Sequence, residues 1–134
     1  LFVLPWRILS FDEGPMAPDP KRSESWNRGA YLVNALTHCG ECHTPRNFLG
    51  GFLDGKFLAG AADGPTGEPV PNITPDNATG IGEWSDGDYE SLLGFGMLPD
   101  GDMVGGEMTE VYENTAKLTE ADRRAIKEYL KSVP

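Results

Sequence analysis

The stretch Cys39-Gly40-Glu41-Cys42-His43 decides the fold of this 134-residue chain, because it contains both of its cysteines. On a helix, residues three apart lie on the same face, so the two thiols point in one direction. His43 follows four residues after Cys39 and lies one turn further along that face. Two thiols and an imidazole at this spacing are the attachment signature of c-type haem, in which each cysteine adds to a vinyl group and the histidine ligates the iron.

Two other kinds of site use a C-x-x-C pair. A thioredoxin-like redox pair belongs in a βαβ context, and the sequence shows no such pattern. A structural zinc site needs four ligands. The available side chains all fall within six residues, which is a poor arrangement for a tetrahedral cage: His38, Cys39, Cys42 and His43. The motif therefore favours haem over both alternatives, and a disulfide is not expected.

The composition predicts one domain with long loops. Seventeen glycines and eleven prolines interrupt regular structure, and 134 residues suffice for one core. A large apolar cofactor would add volume to that core. No stretch reaches the length of a membrane span, and no signal peptide is visible.

The formal net charge of -10 makes the surface strongly acidic. Such a surface disfavours nucleic acid as a partner and would steer a basic partner protein at low ionic strength. Acidity also serves solubility alone, so both interpretations remain open at this point.

Residues 1–22 differ in composition from the rest of the chain. They contain four prolines and one glycine by residue 20, which favours an extended arm or inter-module linker rather than a helix. The arm begins with an apolar run that a soluble domain should not leave exposed. It would pack on the domain, contact a partner or join an upstream module. Residues 23–134 would form the main domain.

Two helices frame the main domain. The first is predicted over residues 24–38, with Ser23 or Ser25 as N-cap and Gly29 at a close helix crossing. The last begins after Thr119. Its apolar stripe has helical spacing and should pack on the first helix across Gly29: Ala125, Ile126, Tyr129, Leu130 and Val133.

The region between these helices is predicted to be mostly irregular. Residues 44–84 read as a long loop that would wrap around the haem edge. A short helix should begin at Ser85, where Asp88 completes a near capping box, and end at Gly94 and Gly96. Another short helix is expected near residues 107–115.

The sixth ligand of the iron is a separate question. His38 adjoins Cys39 on the side of His43, so it cannot reach over the porphyrin, and ligation by two histidines of this chain is excluded. A methionine is the usual alternative, and its thioether raises the reduction potential. Met16 precedes the first helix and is disfavoured. The remaining candidates precede the last helix: Met97, Met103 and Met108.

Five local strings add a more specific signal: WNRGAYLV (26–33), CHTPRN (42–47), NITPD (72–76), GIGEWSD (80–86) and PDG (99–101). With the order of the predicted elements, they resemble class I cytochrome c domains, and in particular the cytochrome c subunits of bacterial membrane-bound alcohol, aldehyde and gluconate dehydrogenases. The resemblance extends from about residue 6 to residue 134. It implies an all-α class I cytochrome c fold, with 4–5 helices and long loops around one covalent haem c.

The resemblance also implies roles for individual residues. Met108 corresponds to the distal ligand that follows the Pro-Asp-Gly turn, with Met103 and Met97 as alternatives; Thr109 stands where many relatives have proline. Five residues would donate to the haem propionates or serve only their loops: Arg46, Asn47, Asn72, Thr74 and Trp84. Three phenylalanines would line the crevice or pack the core: Phe48, Phe52 and Phe57.

The function that the resemblance implies is electron transfer by a single His/Met-ligated haem c, without catalysis by this chain. The domain would serve a periplasmic dehydrogenase or a respiratory chain. Its partners would be a dehydrogenase subunit, a quinol oxidase or another cytochrome, in the periplasm or at the periplasmic face of the bacterial inner membrane. Membrane association would come only through another segment or subunit.

Relatives usually have two or three haem modules, whereas this chain has one C-x-x-C-H. It would therefore be the last module of a longer multihaem cytochrome or a single-haem derivative. Two other functions remain open: a haem enzyme or gas sensor with an open or weakly held sixth site, and an interaction module that uses the apolar arm.

Overall fold

The computed structural model describes residues 3–11, 13–53 and 55–134. Those residues form no strand, only isolated bridges, so the all-α prediction is confirmed. They form more helices than the four or five expected: α1 (Val3–Ser10), α2 (Glu24–Tyr31), α3 (Cys39–His43), α4 (Asp86–Phe95), α5 (Met108–Thr115) and α6 (Glu120–Leu130). A π-helical turn, Leu32–Leu36, continues α2. No helix in the described part of the chain is long and apolar enough to cross a membrane.

Helix α1 corrects the prediction that the arm is extended throughout. Pro5 falls in the first turn of α1, where a backbone N–H has no partner within the helix, so proline is tolerated there. The segment from Gly14 to Pro20 is irregular, as expected. No residue of α1 is buried, and the most exposed apolar side chains are Val3, Leu4, Ile8 and Leu9. The division of the chain into an arm of residues 1–22 and a main domain of residues 23–134 stays a prediction.

Gly29 sets the distance between α2 and α6. A Cβ at this position would lie 1.9 Å from the carbonyl oxygen of Ala125 and 3.0 Å from the Cβ of Tyr129. The predicted close crossing is therefore confirmed. One core surrounds it, built from the π-helical turn, the loops, α4 and α6: Leu32, Val33, Leu58, Ile81, Tyr89, Leu93, Ala125, Ile126, Leu130 and Val133.

The first helix begins as predicted but ends differently. The Ser23 hydroxyl accepts a hydrogen bond from the Trp26 backbone N–H at 2.9 Å, which confirms it as the N-cap. The α-helical pattern ends at Tyr31, and the π-helical turn takes the chain on to Leu36. Because such a turn adds a residue to the helical repeat, it changes the direction in which the following segment leaves the helix.

Helix α4 has the capping box that the sequence predicts. The Ser85 hydroxyl accepts from the backbone N–H of Asp88, whose carboxylate accepts from the backbone N–H of Ser85 at 2.7 Å. The helix ends at Gly96, whose φ of 70° favours glycine. Gly94 was expected to share in this ending but lies inside the helix. Its backbone stays helical because only Gly96 adopts the left-handed conformation.

We expect Ser85→Ala to lower the free energy of unfolding by about 1 kcal/mol, since it removes the cap of α4. Urea denaturation followed by circular dichroism would measure this change. Ser91→Ala, at a half-buried position inside the same helix, is the control, because it leaves the cap intact. An equal loss in both variants would contradict the assignment.

Residues 44–84 lack regular helices and strands, as predicted, and α5 occupies the predicted position near 107–115. The C-terminal end of α5 packs on the C-terminal part of α4, where the Thr115 hydroxyl donates to the Leu93 carbonyl at 2.7 Å. A Cβ at Gly96 would lie 2.6 Å from the Tyr112 ring, so this glycine also permits a close approach. These contacts place α5 beside α4.

Candidate haem-attachment site

The five-residue helix α3 presents both cysteines. Both cysteines are half-buried, and Cys39 packs against the core. Burial raises the pKa of the Cys39 thiol, and a hydrogen bond with Thr37 opposes this. Burial also raises the pKa of the Cys42 thiol, and the negative charges of Glu107 and Glu41 add to the effect. The two thiols therefore share a helix but differ in their surroundings.

His43 ends α3 with its imidazole buried, at 8% exposure. Its Nδ1 lies 2.8 Å from the carbonyl oxygen of Pro71. A carbonyl can only accept a hydrogen bond, so Nδ1 carries the proton. The lone pair of Nε2 is then available to ligate a metal. Burial lowers the pKa of His43, although the Pro71 hydrogen bond opposes this. The neutral ring that results is the form that ligates iron.

The loop after α3 fixes the position of this helix. The Gly60 N–H donates to the His43 carbonyl at 2.7 Å, and the Leu58 N–H donates to the Thr44 hydroxyl at 3.0 Å. A Cβ at Gly40 would lie 2.9 Å from the Phe57 ring, so the second residue of the motif admits this side chain. Sequence reasoning missed Pro71, Thr44 and Gly60, since a backbone carbonyl partner and a buried hydroxyl have no distinctive local pattern.

His38, directly before α3, adopts a left-handed backbone conformation with φ of 52°. A side chain with a Cβ is strained there by roughly 1–2 kcal/mol. His38→Gly would relieve this strain, but the greater entropy of glycine in the unfolded chain would cost roughly 0.4–1 kcal/mol of stability. The strain relief is the larger effect, so we expect the free energy of unfolding to rise by about 0.5 kcal/mol. Urea denaturation would measure it. A lower free energy of unfolding would show that contacts of the exposed imidazole stabilise the fold by more than the backbone strain at His38 destabilises it.

The four methionines lie in different settings. Met97 and Met103 face each other across an antiparallel bridge and are 43% and 53% exposed. Met16 is also exposed. Met108 is half-buried and begins α5. The residue before it, Glu107, lies near enough to Cys42 for its charge to act on that thiol. Met108 therefore directly follows a residue, Glu107, that lies near α3.

Two of the predicted propionate donors, Arg46 and Asn47, are engaged in their own loop. The Arg46 guanidinium pairs with Glu41, donates to the Gly50 carbonyl at 2.8 Å and lies 4.6 Å from the Phe52 ring centroid. The Asn47 side-chain oxygen accepts from the backbone N–H groups of Leu49 and Gly51 at 2.9 and 3.2 Å. Their propionate roles stay predictions. Their observed contacts support the loop-structural alternative.

The other three predicted donors lie in the second half of the long loop. The Asn72 oxygen accepts from the backbone N–H of Thr74 at 2.8 Å and from its hydroxyl at 2.7 Å. Thr74 is buried, and its carbonyl accepts from the Ile81 N–H at 2.9 Å. Trp84 packs on the core with its ring edge against Tyr89, at 5.7 Å between centroids. Their propionate roles also stay predictions.

The three phenylalanines divide between core and surface. Phe57 is half-buried and packs against the core. Phe52 is partly exposed, and the Arg46 guanidinium lies over its ring. Phe48 is 96% exposed, so it does not pack the core, and its place in the crevice stays a prediction. It lies at the tip of a loop, before Gly50 with its φ of 82°.

The donor set fits haem attached through two thioethers. The thiols and the imidazole come from one helix, and the imidazole is buried, oriented by Pro71 and free at Nε2. The zinc alternative gains no support from the described residues, which contain no group of three or more His, Cys, Asp or Glu side chains arranged to hold a metal ion.

Comparison with known proteins gives related sequences, although no protein-family model matches the chain. The diheme cytochrome c-type protein of Cereibacter sphaeroides is 43% identical over 134 residues, covering 96% of this chain and 42% of that protein. The fructose dehydrogenase cytochrome subunit of Gluconobacter japonicus is 44% identical over 131 residues, covering 96% and 26% respectively. The gluconate 2-dehydrogenase cytochrome c subunit of Pantoea cypripedii is 35% identical over 152 residues, covering 97% and 34%.

The helical fold, the C-x-x-C-H helix and the buried histidine are the features expected of a cytochrome c domain. Over almost its whole length, this chain is homologous to part of the cytochrome c subunits of bacterial dehydrogenases. The chain spans less than half the length of each of these relatives.

Proposed function

We propose that this chain transfers electrons through one covalently attached haem c, with His43 and Met108 as its axial ligands. The observation that supports this most strongly is the orientation of His43. Its imidazole is buried, its Nδ1 lies 2.8 Å from the Pro71 carbonyl, and its Nε2 is free on the helix that presents both thiols. The haem supplies an iron that alternates between Fe(III) and Fe(II).

The protein residues contribute attachment, orientation and an apolar environment. Cys39 and Cys42 hold the group at two points, so it cannot dissociate in either oxidation state. Pro71 fixes the imidazole plane and increases the basicity of the ligating nitrogen. Met108 offers a soft ligand that favours the reduced iron. Since neither ligand has to leave during an electron-transfer cycle, little reorganisation accompanies each step.

The proposed partners are a dehydrogenase subunit, a quinol oxidase or another cytochrome, at the periplasmic side of a bacterial inner membrane. A dehydrogenase is supported by the relatives, which include cytochrome subunits of fructose and gluconate dehydrogenases.

The charge distribution suggests that the partner's docking surface is basic. From residue 57 to residue 116 the sequence has no lysine or arginine but twelve acidic residues: Asp63, Glu68, Asp76, Glu83, Asp86, Asp88, Glu90, Asp100, Asp102, Glu107, Glu110 and Glu113. This segment includes Glu107, which is exposed and lies near Cys42. A basic partner would then associate faster at low ionic strength.

The decisive experiment is the visible spectrum of the purified chain, oxidised and dithionite-reduced, before and after acid–acetone extraction. A sharp reduced α-band that remains with the protein is expected, because thioether bonds survive extraction. The double variant C39A/C42A, produced in the same way, is the control and should lose its colour. Absence of retained haem in the unsubstituted chain would overturn the proposal and return attention to a thiol pair.

A further inference from the structure

The segment that connects the first helix to α3 has an unusual hydrogen-bond arrangement at Thr37. Its backbone N–H donates to the Leu32 carbonyl at 2.8 Å, closing the π-helical turn. Its hydroxyl lies 2.9 Å from the same carbonyl oxygen and 3.1 Å from the sulfur of Cys39. One side chain therefore contacts both the end of the first helix and the first attachment sulfur.

Attachment of haem changes which of these hydrogen bonds can form. A Cys39 thiol has a hydrogen of its own, so it can donate to the Thr37 hydroxyl while that hydroxyl donates to Leu32. A thioether sulfur has no hydrogen and can only accept. The Leu32 carbonyl keeps the backbone N–H of Thr37 in either state. The Thr37 hydroxyl can therefore turn to the sulfur without leaving this carbonyl unpaired.

We infer that Thr37 is a positioning residue for the haem, and that its hydroxyl donates a hydrogen bond to the thioether sulfur of Cys39. This inference rests on the proposed attachment of haem. A donor at the sulfur withdraws electron density from the sulfur and, through it, from the porphyrin, which favours Fe(II) over Fe(III). Thr37 thus raises the reduction potential without touching the iron.

The second cysteine has a different environment. Among the described residues, no side chain donates a hydrogen bond to Cys42. Its charged neighbours are the carboxylates of Glu41 and Glu107 and the guanidinium of Arg46, which pairs with Glu41 and donates to the Gly50 carbonyl. Carboxylates accept hydrogen bonds and do not donate them when ionised. The two thioether sulfurs would therefore differ, with only the Cys39 sulfur hydrogen-bonded to the protein.

Substitution of Thr37 in the haem-loaded chain tests this inference through the reduction potential and the carbon–sulfur stretching band in resonance Raman spectra. T37V keeps the shape of threonine and removes the hydroxyl, so we expect a lower potential and a shifted band. T37S retains the hydroxyl and should restore both. T115V is the matched control, because it removes a threonine hydroxyl that also donates to a backbone carbonyl, that of Leu93. It should leave the potential and the band unchanged.

Deuteration gives the same test without a substitution. In D₂O the Thr37 hydroxyl exchanges, so the carbon–sulfur band of the unsubstituted protein should shift, whereas that of T37V should not. If T37V fails to fold, T37A provides the second variant without a hydroxyl. An unchanged potential and band in these variants, with no solvent isotope shift, would overturn the inference and leave Thr37 as a cap of the π-helical turn. Loss of haem from the unsubstituted chain would instead refute the proposed function.

Discussion

Replacing Gly29 with alanine is expected to lower the free energy of unfolding by about 3 kcal/mol, at the upper end of the cost of overpacking a core. The added Cβ would lie 1.9 Å from the Ala125 carbonyl oxygen. This atom belongs to the backbone of α6, so no side-chain rotation can relieve the clash. The two helices would have to separate, opening the core that they share. Urea denaturation of the haem-loaded chain, followed by circular dichroism, would measure the loss.

Gly94→Ala is the matched control for this prediction, because it makes the same substitution inside another helix. The nearest atom to its added Cβ would be a flexible side-chain atom 3.7 Å away. With room available, alanine should gain helix propensity and stabilise the chain by roughly 0.5–1 kcal/mol. Similar changes in both variants would show that the crossing at Gly29 can relax, contrary to the geometry.

The second large effect is expected at the iron. Met108→Ala should lower the reduction potential and open the sixth coordination position, because it removes the proposed soft ligand, which favours Fe(II). The reduced variant should bind CO, and the oxidised variant should lose the far-red sulfur-to-iron absorption band. Redox titration and CO difference spectra would measure these changes. Attachment should persist, since both cysteines remain.

Met97→Ala and Met103→Ala are the controls for the ligand assignment. Both side chains are substantially exposed, and the two residues face each other across an isolated antiparallel bridge that precedes α5 in the chain. Their removal should leave the potential and the far-red band nearly unchanged. If Met103→Ala or Met97→Ala reproduces the expected spectrum of the Met108 variant, the ligand is that residue. CO binding by the unsubstituted chain would favour a gas sensor or haem enzyme.

Local signals in the sequence determined much of the architecture. The spacing in C-x-x-C-H predicted one helix with all three attachment groups, and α3 has those bounds. Side-chain caps predicted three helix starts, at Ser23 or Ser25, at Ser85 and at Thr119. The structure has Ser23, Ser85 and Thr119 as the caps, and each bonds a backbone N–H only three residues away. Gly29 predicted the helix crossing, because a glycine inside a helix lowers its stability and is explained when another helix packs closely against it.

Tertiary structure alone decided the features that depend on distant parts of the chain. The hydrogen-bond partner of His43 is a backbone carbonyl 28 residues away. Because backbone carbonyls occur all along the chain, the sequence does not indicate which one is the partner. The pairing of Arg46 with Glu41 instead of a more distant acceptor depends on how the following loop folds back. The contact between Thr37 and Cys39 needs a π-helical turn, which has no reliable sequence pattern. The helix that presents the two thiols and the imidazole, and the helix starts, could be predicted because they depend on neighbours a few residues apart. The orientation of the imidazole and the environment of each sulfur depend on loop closure over long separations.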